Sequence, residues 1–145
     1  MEHADNSTAR RFMLVGALLV MAGLLTGLVS SSLANPRMGL SAHLAGMMGG
    51  ILLLALGAGW HHVRLAKSVE RWAFGLLVFG NVANWATVLL AAVLGAGQSM
   101  MPIAAGDHGG AAWQENLVGF LLIALSFAMV AGFALVIKGL LAKAE

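Results

Sequence analysis

Four apolar runs dominate this chain, roughly Phe12–Ala34, Leu40–Val63, Ala73–Gly97 and Leu117–Ile137. Each reaches the about 20 apolar residues that a helix needs to cross hydrocarbon. Inside a bilayer no water bonds the backbone N–H and C=O groups, so a span must satisfy them within itself, as a helix does. Charge agrees with lipid as the solvent: 10% of the residues are charged, against roughly 25% in a soluble domain. The first run follows Arg10 and Arg11 and ends at Ser32-Leu33-Ala34, in the manner of a cleaved leader. It exceeds the roughly 7–15 apolar residues of such a leader and reads as a retained span. The expected fold is all-α: a single domain over residues 1–145, a bundle of four transmembrane helices, with residues 1–9 a disordered polar arm.

Basic residues set the orientation. Arg10, Arg11, Arg64, Lys67, Arg71, Lys138 and Lys143 fall in the arm, the second connection and the C-terminal tail, and only Arg37 lies on the other side. Both termini are therefore expected in the cytoplasm. The composition also excludes several chemistries. The absence of cysteine removes disulfides, thiolate nucleophiles and zinc–sulfur sites. The absence of tyrosine removes a phenol as acid, base or ligand. A net charge of +2 without a basic patch does not fit nucleic-acid binding. No Asp, Glu, Lys or Arg lies in the middle of a span, which argues against an ion-coupled transporter, where such a group relays the proton or cation.

Pro36 and Gly39 punctuate the short first connection. The outer connection Gln98–Asn116 is long, rich in glycine and alanine, and carries Asp107, His108 and Glu115. Trp60, Trp72 and Trp113 fall near span ends, where an aromatic belt would place them, and Trp85 falls near mid-membrane. Gly23/Gly27 and Gly46/Gly50 are GxxxG pairs, which in lipid signal close helix packing. A four-helix unit of 15.0 kDa has little interior of its own, so homo-oligomers formed through such faces are expected.

His43 sits in an apolar helix where almost nothing else is ionisable. An imidazole in a bilayer is costly unless it is paired, buried in protein or bound to a metal, which makes it a functional candidate. Gly39, Gly46, Met47 and Gly50 share its face at i−4, i+3, i+4 and i+7. Two readings of that face are open. The histidine bonds to a neighbouring helix, or it ligates a haem iron, with the glycines leaving a wall without bulk beside a macrocycle. On the third span Asn81, Asn84 and Trp85 form one stripe at i, i+3 and i+4. They either bond between helices or line a pocket for a small aromatic substrate, with Trp85 stacked on it.

Helical rise places His43 about 9 Å and Asn84 about 21 Å below the outer face, counted from Arg37 and from Gln98. The gap of about 12 Å, near a porphyrin's width, would let both face one cofactor and its substrate. His61 and His62 belong at the cytoplasmic interface and His3 in the arm. His108 shares the outer side with His43 as a candidate second axial ligand. Arg37 is an interfacial snorkelling residue, or a partner for a haem propionate or the Asp107/Glu115 connection.

The runs NPRMGLSAHLAGMMGG (Asn35–Gly50), ANWATVLLAAVLGAG (Ala83–Gly97) and MPIAAGDHGGAAWQENLVGFLLIALSFAMV (Met101–Val130) resemble bacterial hydroxylaminobenzene mutases, small four-span proteins distantly akin to styrene oxide isomerase. NPRMGLSAH and the Trp-Gln-Glu step at Trp113–Glu115 are the most specific parts, and the first span matches only in character. The resemblance implies a redox-neutral isomerisation that moves the hydroxyl of an arylhydroxylamine to the ring, giving a 2-aminophenol. It further implies haem b between the subunits of a homotrimer, His43 as its axial ligand, and ferric iron as a Lewis acid on the substrate oxygen. The opposing cation, delocalised on the ring, would meet Trp85 and the asparagine carbonyls in a pocket dry enough to limit capture by water.

This chain departs from the family's pattern at three positions. Ala45 stands where relatives carry a glutamate. Gly49 stands where they carry an asparagine, which orients substrate in the epoxide isomerase. Trp85 stands where that isomerase has a tyrosine. Asn84, at nearly the depth of Gly49, is expected to substitute for the missing amide.

The chain is thus expected to be a multi-pass isomerase of the bacterial inner membrane. Haem b would sit on His43, flanked by Gly46, Met47, Gly50 and Arg37, with Asn81, Asn84 and Trp85 around an aromatic substrate. An aryl epoxide isomerase and a non-enzymatic membrane b-type haem protein are the alternatives.

Overall fold

A computed structural model describes the backbone of residues 2–142 and the side chains of residues 7–142. The side chains of His3 and Lys143 lie outside the described residues. Four long helices carry the fold: α1 (Glu2–Val29), α2 (Pro36–Gly59), α3 (Lys67–Leu94) and, after a short α4 (Pro102–Ala105), α5 (Ala112–Leu141). All four long helices are apolar and extended enough to cross a membrane.

Their ends differ from the hydropathy boundaries, for reasons of capping. α2 begins at Pro36 because Asn35 caps it, its Oδ1 accepting the Met38 N–H at 3.0 Å, while Pro36 has no N–H to satisfy. α3 stops at Leu94, ahead of Gly97, because Gly95 turns into the left-handed region at φ 65°, where a side chain is disfavoured. α1 starts at Glu2, so residues 2–9 are helical rather than a disordered arm. α5 starts at Ala112, which moves Trp113 and Glu115 out of the connection and into a helix. Asn35 also binds this end of the bundle together. Its backbone N–H donates to Ala92 O at 3.0 Å and its Nδ2 to Ala105 O at 2.9 Å.

Packing runs α1 on α2, α2 on α3, and α3 on α5. The two GxxxG pairs both lie in the α1–α2 contact, where Gly46 meets Gly23, Gly50 meets Gly16 and Gly27 meets the His43 ring. A methyl group on Gly46 would lie 2.7 Å from Gly23 Cα, and one on Gly50 would lie 2.7 Å from Gly16 O. Nothing but hydrogen fits at those positions, which is the close approach that small residues permit. The approach is made within one chain, so these glycines are used up by α1–α2 rather than offered to another copy.

At the opposite end Phe12, Leu53, Trp60 and Leu77 are buried in a shared core. The Phe12 ring lies 4.7 Å from Trp60 and 4.8 Å from Phe74. Trp60 is therefore a core residue and not part of an aromatic belt. It is 1% exposed, and its Nε1 donates to Glu70 Oε1 at 3.2 Å, so that ring and N–H both find partners. Trp72 and Trp113 are exposed, as a belt requires.

Candidate functional site

His43 lies on the flank of α2 that faces α1. Its Nδ1 is 2.7 Å from Gly23 O. The ring rests on Gly27, where a methyl group would lie 2.6 Å from Nδ1 and 3.0 Å from Cε1. A carbonyl only accepts, so Nδ1 carries the proton and donates, and in the neutral imidazole Nε2 keeps its lone pair. Nε2 has no hydrogen-bond partner among the described residues, and the side chain is half-buried. The bond to α1 realises one of the two readings of this residue. It also produces the tautomer that the other requires, since metal-ligating histidines commonly donate their second ring N–H to a carbonyl or carboxylate.

The glycine wall beside His43 is occupied by α1 and the turn that follows it. Gly46 faces Gly23 and the Trp85 ring, Gly50 faces Gly16 and Val20, and Gly39 faces Ser30 and Leu33. Met47 is half-buried on the same flank. Trp85 leaves the asparagine stripe and crosses over Gly46 to α1. There its Nε1 donates to Thr26 Oγ1 at 3.0 Å, and Thr26 Oγ1 donates to Ala22 O at 2.8 Å. The indole is thus pinned between helices and does not stack in the asparagine cleft. Thr26 is the functional-site neighbour that sequence reasoning missed, and Gly27, read as a packing residue, carries the His43 ring. A lone hydroxyl in the apolar run before Ser30 was the available signal for Thr26, which the structure buries.

Asn81 and Asn84 do share a cleft. It has a volume of about 550 Å³, lies between α2 and α3, and is walled by Ala45, Met48, Gly49 and Leu52 as well as the two asparagines. His43 is on the other flank of α2, so one chain does not bring it into this cleft. The depths also change. Counted from the observed helix ends at Pro36 and Leu94, His43 lies about 10 Å and Asn84 about 15 Å in, which shrinks the gap to about 5 Å. Asn81, not Asn84, stands level with Gly49: a methyl group there would lie 3.0 Å from Asn81 Oδ1. Asn81 is 5% exposed, and its Nδ2 donates to Leu77 O at 2.8 Å and to Met129 Sδ at 3.4 Å. Asn84 is half-buried, and its amide has no hydrogen-bond partner among the described residues. An apolar cleft with two convergent amides can hold a flat apolar body and orient one polar end.

The outer connection is fastened by Glu115. Its Oε1 accepts the Gly97 and Gly110 N–H groups, both at 2.9 Å, and its Oε2 accepts the Ser99 N–H and hydroxyl at 3.1 and 3.0 Å. Arg37 is exposed beside this connection and borders an open groove of about 420 Å³ with Leu40, Ser41, Met101 and Ile103. His108 is exposed on the connection itself, and His61 and His62 are exposed at the other end of α2, their ring centroids 3.8 Å apart. Among the described residues no group of three or more His, Cys, Asp or Glu side chains is placed to hold a bare metal ion.

Comparison with known proteins gives the family. The styrene oxide isomerase family matches residues 8–141. Hydroxylaminobenzene mutase HabB of Ectopseudomonas oleovorans is 48% identical over 136 residues, which is 94% of this chain and 83% of that protein. Hydroxylaminobenzene mutase HabA of the same organism is 42% identical over 126 residues, 87% of this chain and 93% of that protein. No solved structure matches.

Proposed function

Because this chain belongs to the styrene oxide isomerase family, we propose that it is a membrane-embedded isomerase that rearranges an aromatic hydroxylamine to a 2-aminophenol. The 48% identity to a hydroxylaminobenzene mutase over 94% of the chain carries the reading. The cleft supports it with a polar pair in an apolar setting. The reaction is redox-neutral. The N–O bond breaks, a C–O bond forms at the ortho carbon, and the proton displaced from that carbon ends on nitrogen.

In this reading the ring lies against Met48 and Leu52, and the hydroxylamino group meets the Asn84 amide. As the N–O bond lengthens, negative charge gathers on oxygen and positive charge spreads over the ring. An amide N–H directed at that oxygen favours the transition state over the ground state. The apolar walls keep out the water that would otherwise capture the ring cation.

His43 fits a haem b. Its Nδ1 is held by Gly23, its Nε2 lone pair is available, and one imidazole suffices for an iron already enclosed in a macrocycle. When bound, that group supplies a Lewis acid for the substrate oxygen. Arg37, exposed at the same end of α2, is the cation suited to a propionate. Because His43 and the cleft occupy different flanks of α2, the reading places the cofactor at the seam between protomers. Those protomers form a homotrimer in the bacterial inner membrane, both termini in the cytoplasm. The exposed stripe Leu44, Met48 and Ile51 lies between the two flanks and is suited to that contact.

Purified protein is expected to convert hydroxylaminobenzene to 2-aminophenol without added oxidant or reductant, and Asn84→Ala is expected to lower kcat/KM. Absence of product from the wild type would sink the reading. A Soret band in the wild type that is missing from His43→Ala tests the haem. The family name favours one second reading, opening of an aryl epoxide, and styrene oxide given to the same preparation decides between the two. A Soret band without turnover of either substrate would leave a non-enzymatic haem protein.

A further inference from the structure

Asn81 is deep in the span and nine-tenths buried, yet only half of its amide is satisfied. Nδ2 donates to Leu77 O and to Met129 Sδ. Because Leu77 O can only accept, the nitrogen must be on that side, which turns Oδ1 the other way. Oδ1 accepts no hydrogen bond among the described residues. No fully enclosed side-chain polar atom there lacks a partner, so this oxygen is reachable, and the opening beside it is the cleft that Asn81 lines. It projects over Gly49, where a methyl group would lie 3.0 Å away. The missing side chain at Gly49 is what gives the amide its place.

An unpaired amide oxygen in hydrocarbon costs free energy, and a ligand that brings an N–H or O–H recovers it. The neighbouring Asn84 amide is unbonded at both ends and can turn to present donor or acceptor. Asn81 cannot turn without giving up Leu77 O. Its preference is therefore built in.

We infer that Asn81 Oδ1 is the specificity-determining atom of the cleft: a fixed acceptor that selects flat apolar ligands bearing an N–H or O–H over ligands that have none. Taken with the proposed function, on which this substrate assignment rests, it selects an aryl hydroxylamine over an aryl epoxide. A site built to bond a donor discriminates strongly against the analogue that lacks it, because its own polar atom is then left unpaired.

The test is equilibrium binding of phenol and of anisole, two ring probes that differ in the O–H, to the full-length protein in lipid nanodiscs. Phenol is expected to bind about tenfold more tightly, equivalent to about 1.4 kcal/mol. Asn81→Leu should bring the two within about twofold of each other while keeping anisole affinity. Gly49→Ala, whose methyl pushes on Oδ1 without removing it, should narrow the ratio independently of how Asn81→Leu folds. Equal affinities in the wild type, a preference that survives Asn81→Leu, or a ratio untouched by Gly49→Ala overturns the inference. Failure of the wild type to turn over hydroxylaminobenzene would remove the proposed function and leave this ratio standing. Turnover without a phenol preference would do the reverse.

Discussion

Gly27→Ala asks how His43 is held. The added methyl would lie 2.6 Å from Nδ1, 3.0 Å from Cε1 and 3.2 Å from Cγ of that residue, all inside the about 3.5–4.0 Å of a favourable carbon contact. The three nearest atoms belong to one ring, so relief requires the imidazole to move as a body. Moving it breaks the bond to Gly23 O, a net loss of about 1 kcal/mol. Residual overpacking adds about 1–3 kcal/mol. Alanine's better helix propensity returns about 1 kcal/mol. The expected net destabilisation is therefore about 1–3 kcal/mol. In a His43→Ala background the methyl enters space the ring has left, and the same substitution should be neutral or stabilising by up to about 1 kcal/mol. Reversible unfolding in mixed micelles, run as a double-mutant cycle, should give a coupling of about 2 kcal/mol. Equal costs in both backgrounds would refute the placement of the ring on Gly27.

Glu115→Gln should loosen the outer connection, because an amide NH₂ must then face N–H groups that now meet a carboxylate oxygen. Faster hydrogen exchange at Gly97, Ser99 and Gly110 is the readout, and unchanged exchange would contradict it. Trp85→Phe and Thr26→Val each remove one end of the same hydrogen bond. Each should cost about 1 kcal/mol, and the pair should cost less than the sum of the two, measured by thermal unfolding in detergent. Gly50→Ala should destabilise by about 3 kcal/mol, because its methyl meets backbone that cannot give way. Gly75→Ala, with nothing within 4 Å, should be neutral or stabilising by up to about 1 kcal/mol. A reversed order would mean that α1 and α2 do not meet at these glycines.

Hydropathy marked four spans because hydrocarbon thickness alone demands them, and each overlaps one long apolar helix. Their ends escaped it, because ends are decided by the Asn35 cap and by the left-handed turn at Gly95, which carry little hydropathy signal. The GxxxG pairs were readable as packing residues, but not that Gly46 meets Gly23 while Gly50 meets Gly16 and Gly27 meets the His43 ring. The asparagine stripe shows why. An isolated helix puts residues at i, i+3 and i+4 on one face, but α3 is contacted by α1, α2 and α5. A turn of about 100° per residue then separates neighbours that a wheel groups together. Trp85 goes to Thr26 on α1, Asn84 to the groove against α2, and Asn81 between Gly49 and Met129.

What the amino acids determine without any coordinates is the solvent of the chain, the number of its crossings, and the few polar groups too costly to be idle there. Tertiary structure decides which partner each of those groups meets. Apolar burial in lipid is non-directional and cannot say which flank of α2 faces α1. The carbonyl beside His43 and the unpaired oxygen of Asn81 exist only once Gly23, Gly27 and Gly49 have let the helices close to backbone contact.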